Sequence, residues 1–153
     1  MLKIDQVLAA DTTPIINLLE VMLFNNGQQA TCLTFALSSA HPDGPASLCN
    51  NGNVNDLVPC YTYGANPSLT VTGISALDRV VVYNRVDCCA ARIVGARITY
   101  LQSNQVMWTS TFDVARVSYD FRVTTTPSPT PAPTPDATPR CHNWPAWSGF
   151  GAA

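Results

Sequence analysis

The sequence predicts an all-β fold, a sandwich or barrel, followed by a polyproline II tail. Three observations carry this. Short β-branched or alternating runs recur across residues 1–123, broken by turn chemistry and with little helical periodicity. A proline stands at every second position from Pro127 to Pro135, a pattern that no ladder or helix accepts. The 153 residues suffice for one domain with a real core.

The runs, in order, are IINLLEVMLF (15–24), TCLTFAL (31–37), SLTVTGI (68–74), RVVVYN (79–84), GARITYLQ (95–102), VMWTSTF (106–112) and ARVSYDFRV (115–123). The first contains Glu20 and reads as a strand or short helix. It is too short to cross a bilayer. Asn25-Asn26-Gly27 and Ser103-Asn104 are tight-turn chemistry. In GARITYLQ, alternation puts Ala96, Ile98 and Tyr100 on one face and Arg97, Thr99 and Leu101 on the other. RVVVY is continuously apolar, as expected of a strand covered on both faces. Between the strands, residues 38–65 form a long loop rich in Asn, Gly, Pro and Asp. Loops of that length in a compact domain are functional or stapled, and Cys49 and Cys60 bracket part of this one as the expected staple.

Three segments follow from these runs: a β domain over 1–123, a Pro/Thr/Ser-rich linker over 124–139 and an aromatic, cysteine-bearing tail over 140–153. The linker should be extended, with a reach of roughly 50 Å. Its run Thr126, Pro127, Ser128, Pro129, Thr130, Pro131, Pro133, Thr134, Pro135 reads as O-glycosylated in a secreted chain. No Asn sequon exists, because Pro67 follows Asn66. The tail RCHNWPAWSGFGAA holds Cys141, Trp144, Trp147 and Phe150, whose apolar surface is expected to be covered in an assembly.

Composition excludes several classes. Net charge is −2 and only 12% of residues are charged, so no basic stripe supports nucleic-acid binding or a polybasic membrane anchor. There is no G-x-S-x-G, H-E-x-x-H or Gly-rich phosphate loop, and two histidines leave little acid–base capacity. Asp113 and Asp120 near adjacent strands read as chance placement. No enzyme is expected. Six cysteines without a C-x-x-C pair point to an oxidising, extracellular or cell-surface setting rather than zinc. The opening MLKIDQVLAADTTP lacks an apolar stretch of signal-peptide length, so the numbering is expected to start inside a longer precursor.

The chemistry concentrates in YNRVDCCAARI, residues 83–93. Arginine is a rigid fork of donors suited to vicinal hydroxyls. Asp87 lies between Arg85 and Arg92 and is placed to orient either guanidinium. Cys88 and Cys89 close as a vicinal disulfide with a stiff apolar face, or bond two distant partners. Fork and sulfur face together suit sugar hydroxyls and ring carbons. The rival reading makes both arginines structural ion pairs. If Cys88 pairs Cys89 and Cys49 pairs Cys60, Cys32 and Cys141 remain, and their pairing ties the tail to a domain.

This loop resembles the F-type lectins, a fucose-binding family with an Arg-x-Asp-x4-Arg/Lys motif, often followed by adjacent cysteines after the Asp. Arg85, Asp87 and Arg92 match its spacing, VVVYNR resembles its preceding strand, CNNGN its Asp-Gly-Asn loop, and VMWTSTF and VSYDFRV its last strands. The likeness covers about residues 15–123. It implies a jelly-roll β-sandwich of the galactose-binding or discoidin type, with a sugar site among loops at one end. Two positions depart from the family. Tyr61 stands where a histidine is expected, and His41 lies too far upstream to replace it. Asn51 stands where the calcium loop has an aspartate, leaving Asn51, Asn53 and Asp56 as a weak Ca2+ candidate.

Two functions follow. The first is an extracellular structural glycoprotein whose lectin-like domain assembles with copies of itself, head to tail, into a filament or surface layer. The alternative is a secreted lectin for fucose or a related sugar, using Arg85, Asp87, Cys88, Cys89, Arg92 and Tyr61.

Overall fold

The computed structural model describes residues 1–6, 14–55, 58–64 and 66–124. The linker and tail segments, with Cys141, Trp144, Trp147, Phe150 and the proline tract, lie outside these residues, as does Asp56.

Ten strands form two antiparallel sheets: β1 (Leu2–Gln6), β2 (Asn17–Asn25), β3 (Gln28–Gln29), β4 (Thr34–Leu37), β5 (Cys60–Tyr61), β6 (Ser68–Thr72), β7 (Arg79–Asn84), β8 (Ala96–Gln102), β9 (Gln105–Thr111) and β10 (Ser118–Arg122). One sheet runs β4-β6-β1-β8-β9. The other runs β10-β7-β2-β3, with β5 paired to the start of β2. Among the described residues the only helical turns are short 3-10 turns at Ala46–Asn50 and Ala90–Ile93, and no helix is long and apolar enough to cross a membrane.

The sheets close on a shared core. Leu2, Ile4, Leu69, Val71, Ile98 and Tyr100 from one sheet meet Leu18, Val21, Leu23, Val80 and Val82 from the other. The alternation expected for β8 holds, with Ala96, Ile98 and Tyr100 buried and Arg97 exposed. Val81 is also buried, on the outer face of its sheet, which is why RVVVY reads as a continuous apolar run. Both tight turns form as read. Asn26 and Gly27 join β2 to β3, Ser103 and Asn104 join β8 to β9, and all four take positive φ, as two-residue hairpins require. Three strands escaped the pattern. β3 and β5 have two residues each, and β1 carries Lys3 and Asp5 on its outer face.

Registry divides the connections between two ends. Gln6 pairs with Ala96, Leu37 with Leu69, and Asn84 with Leu18, so the loops 38–67, 85–95 and 112–117 gather at one end. The hairpin turns, Cys32, Gly73, Met1 and the chain's exit after β10 gather at the other.

Candidate functional site

Asn84 holds the first end together. It ends β7 with its side chain fully buried. Its Nδ2 donates to the carbonyls of Ala90 (2.9 Å) and Arg116 (3.0 Å), and its Oδ1 accepts from the Arg85 amide (2.9 Å). One buried amide therefore joins the 85–95 loop to the 112–117 loop. Tyr119 steadies the second loop, donating to the Val114 carbonyl and accepting from the Arg116 amide.

From this base Arg85 turns onto Asp87 in a two-point ion pair, Nε to Oδ1 at 2.5 Å and Nη2 to Oδ2 at 2.8 Å. That bond drives the Asp87 carboxyl down to about 2 and raises the Arg85 guanidinium above its ordinary value. Asp87 thus orients Arg85. Among the described residues the Arg92 guanidinium has no ion pair or hydrogen bond, while its carbonyl accepts from Gln6 Nε2 of β1. Arg116 completes three arginines on loops of this end. Its position was not read as a site residue, since only the β9–β10 turn brings it beside the motif.

The expected vicinal pair Cys88 and Cys89 brings its sulfurs to 2.7 Å, longer than an S–S bond and closer than two unbonded sulfurs stand. Cys89 takes a left-handed conformation (φ 60°) to open the 3-10 turn Ala90–Ile93, so local backbone geometry is set by that turn. Contact with Cys89, then burial, raises the Cys88 pKa. The Cys49–Cys60 staple is present, with Cα atoms 5.1 Å apart. Cys32 is disulfide-bonded; its expected partner, Cys141, lies outside the described residues.

Backbone pairing of Ala40 with Thr62, and the His41 amide bond to the Tyr61 carbonyl, bring His41 to Tyr61. The rings stack with centroids 4.7 Å apart, and the Tyr61 hydroxyl lies 2.7 Å from His41 Nδ1. The Asp43 amide also points at Nδ1. An amide only donates, so Nδ1 accepts and Nε2 carries the proton, leaving one N–H to point elsewhere. Tyr63, 70% exposed, meets the His41 ring edge-on. Sequence spacing placed His41 too far upstream of Tyr61; the loop fold brings the two rings together.

Tyr61 and the arginine loop flank the same strand end. Asn17 pairs with Tyr61, and Leu18 pairs with Cys60 on one side and Asn84 on the other. Cys60 and Asn84 are therefore about two strand spacings apart, ~10 Å. Asn17 lies between them, 1% exposed, and neither of its side-chain polar atoms has a partner.

Sequence reading also missed Glu20. It is fully buried, and its Oε2 accepts the amides of Asn51 (3.0 Å) and Gly52 (3.1 Å). Burial raises its pKa, partly opposed by these two bonds. The loop offered for calcium is thus folded around the buried Glu20 carboxyl. Asn51 and Asn53 point their amide oxygens at the backbone N–H of Asn53 and Asn55 in successive Asx turns. Among the described residues no group of three His, Cys, Asp or Glu is placed to hold a metal. Asp56, the acidic member of the calcium candidate, lies outside the described residues. The only signal for Glu20 in the sequence is an acid inside an apolar strand.

Asp113 and Asp120 do line one cleft between β9 and β10, with Arg116. Asp120 is committed to Arg79 in a two-point ion pair. No family model, curated protein or solved structure matches the chain.

Proposed function

We propose that this chain is an extracellular carbohydrate-binding module, an F-type-lectin-like jelly roll displayed on a glycosylated proline-rich arm. One observation carries the reading. The oriented Arg85–Asp87 fork and the His41–Tyr61 stack flank the same end of β2, and Arg92 on the same loop has an uncommitted guanidinium. Asp87 occupies two of the Arg85 donors and leaves the rest of the fork for neighbouring hydroxyls. His41 Nε2–H adds a neutral donor. The Tyr63 ring and the Cys88 and Cys89 sulfurs provide apolar surface for sugar ring carbons. These parts match what a neutral, hydroxyl-rich ligand needs, and fucose or a related sugar is the expected class.

The test is glycan retention on an array or column, with Arg85→Ala as the variant. A charge-assisted hydrogen bond contributes about 1.5–3 kcal/mol, so affinity should fall roughly 10- to 100-fold. Unchanged retention in the variant, or no glycan retained by the natural chain, ends this proposal.

The structural reading stands second, favoured by polarity. The loop cluster is at one end and the arm leaves from the other, a geometry that suits head-to-tail assembly into a filament or surface layer.

A further inference from the structure

Among the described residues the sandwich is open along one side, where β9 ends one sheet and β10 ends the other. A cleft of about 410 Å3 lies between these two strands, a size ordinary for a small-ligand site. Two of its lining residues are aromatic, Tyr119 and Phe121, set with their rings parallel and backed edge-on by Phe112. The others bear polar groups, among them Ser110, Asp113, Arg116 and Ser118. Asp113, Arg116 and Ser118 are exposed. Among the described residues neither the Asp113 carboxylate nor the Arg116 guanidinium makes an ion pair.

We propose that this cleft is a second sugar subsite, seating the next residue of a glycan whose terminal sugar is held at Arg85. The inference rests on the carbohydrate-binding reading and extends it from one sugar to an oligosaccharide. Three observations support it. The first is position. Ser118 pairs with Tyr83, two residues before Arg85, so the near end of the cleft lies ~8 Å from the fork in backbone terms, a span that two linked pyranoses bridge. Asn84 fixes this relation, because its one buried amide bonds the carbonyl of Ala90 on the arginine loop and that of Arg116 on the cleft loop. The second is charge. Arg79 neutralises Asp120, and Arg116 balances Asp113, so the cleft has no net charge and suits a neutral ligand rather than a phosphate or a cation. The third is chemistry. Arg116 donates, Asp113 accepts, and the serine hydroxyls do both, while the aromatic rings offer a face to sugar C–H groups.

An extended peptide added to either strand edge is the rival occupant. β9 is bulged against β8, with Trp108 opposite Tyr100 and Val106 opposite Leu101, and β10 exposes Asp120 and Arg122. Bulges and edge charges both discourage strand pairing. A sugar needs no ladder and is held by side chains, which this cleft supplies. The second subsite makes the linkage between the two sugars decisive, because only some linkages direct the second ring from Arg85 toward Ser118.

The experiment is calorimetry on the full chain, with L-fucose presented alone and as the end of a series of di- and trisaccharides, and with amide NMR shifts followed on the same samples. An alternating Thr-Val hexapeptide is the control. The natural chain should bind at least one longer glycan about tenfold tighter than the monosaccharide, and only the longer glycan should shift amides across residues 110–121. The Asp113→Ala/Arg116→Ala chain should lose that gain and keep the monosaccharide affinity. Equal affinity for the monosaccharide and every longer glycan overturns the proposal, as does a gain that survives in the double variant. Shifts at 110–121 caused by the peptide and by no glycan overturn it in favour of strand addition. Arg85→Ala separates the two readings. An intact Arg85 effect with no gain from glycan length overturns the cleft alone, whereas undiminished affinity in Arg85→Ala, or no glycan bound by the natural chain, overturns both.

Discussion

Two carboxylates with opposite environments set the behaviour of the arginine end. Asp87 is exposed to Arg85 and held near 2, so the fork stays assembled through any mildly acidic pH. Glu20 is desolvated and its pKa lies above the ordinary 4.5. A raised folded-state pKa means the fold favours the protonated form. Its contribution is complete below the unfolded value and is lost as pH climbs through the folded one. The stability gap between the natural chain and Glu20→Gln should therefore move in favour of Gln as pH rises above about 4.5, read by urea unfolding at a series of pH values. A gap that stays flat would show that Glu20 does not titrate in this window. At this scale the motif was legible: Arg85, Asp87 and Arg92 announce themselves by residue type and spacing. Glu20 and Asn84 were not, because a strand pattern says only that a polar residue is present and not what it bonds.

Loops 38–67, 85–95 and 112–117 decide the site more than the strands do. The first is shaped by a turn at His41–Gly44, in which the Gly44 amide bonds the His41 carbonyl and the Tyr61 amide bonds the Gly44 carbonyl. A Cβ on Gly44 would fall 2.2 Å from the Tyr61 ring. Gly44→Ala must push that ring away, so overpacking of about 1–3 kcal/mol is expected together with loss of the His41 stack. Thermal unfolding and the His41 ring shifts in NMR check both, and a variant with native stability and native shifts contradicts the contact. The strands themselves were read well from alternation and turn residues. β3 and β5 were missed because two-residue strands carry no periodicity, and β1 because Lys3 and Asp5 occupy its outer face.

Across the molecule, the Cys49–Cys60 bond couples a surface loop to the core through β5 and β2. It closes a loop of about a dozen residues, worth on the order of 3 kcal/mol in the chain-entropy view. The Cys49→Ser/Cys60→Ser chain should lose about that much stability. Its glycan retention should fall while the opposite end keeps its exchange protection, because Cys60 pairs with Leu18 beside Asn84 at the arginine end. Equal loosening at both ends would show that the domain opens as one unit.

What the sequence determined by itself is local: the all-β class, the hairpin turns, the buried face of each regular strand, the long stapled loop and the arginine motif. Each depends on residue type and spacing within about ten positions, where side-chain period and turn chemistry act directly. Tertiary structure decided what meets across long separations. It set His41 on Tyr61, bonded Asn84 to two loops, folded the Asn-rich loop around Glu20, and put the arginine loop and the chain's exit at opposite ends. Those outcomes follow from strand order and registry, which bring distant residues to one edge by hydrogen bonding between strands, and no local pattern encodes that order.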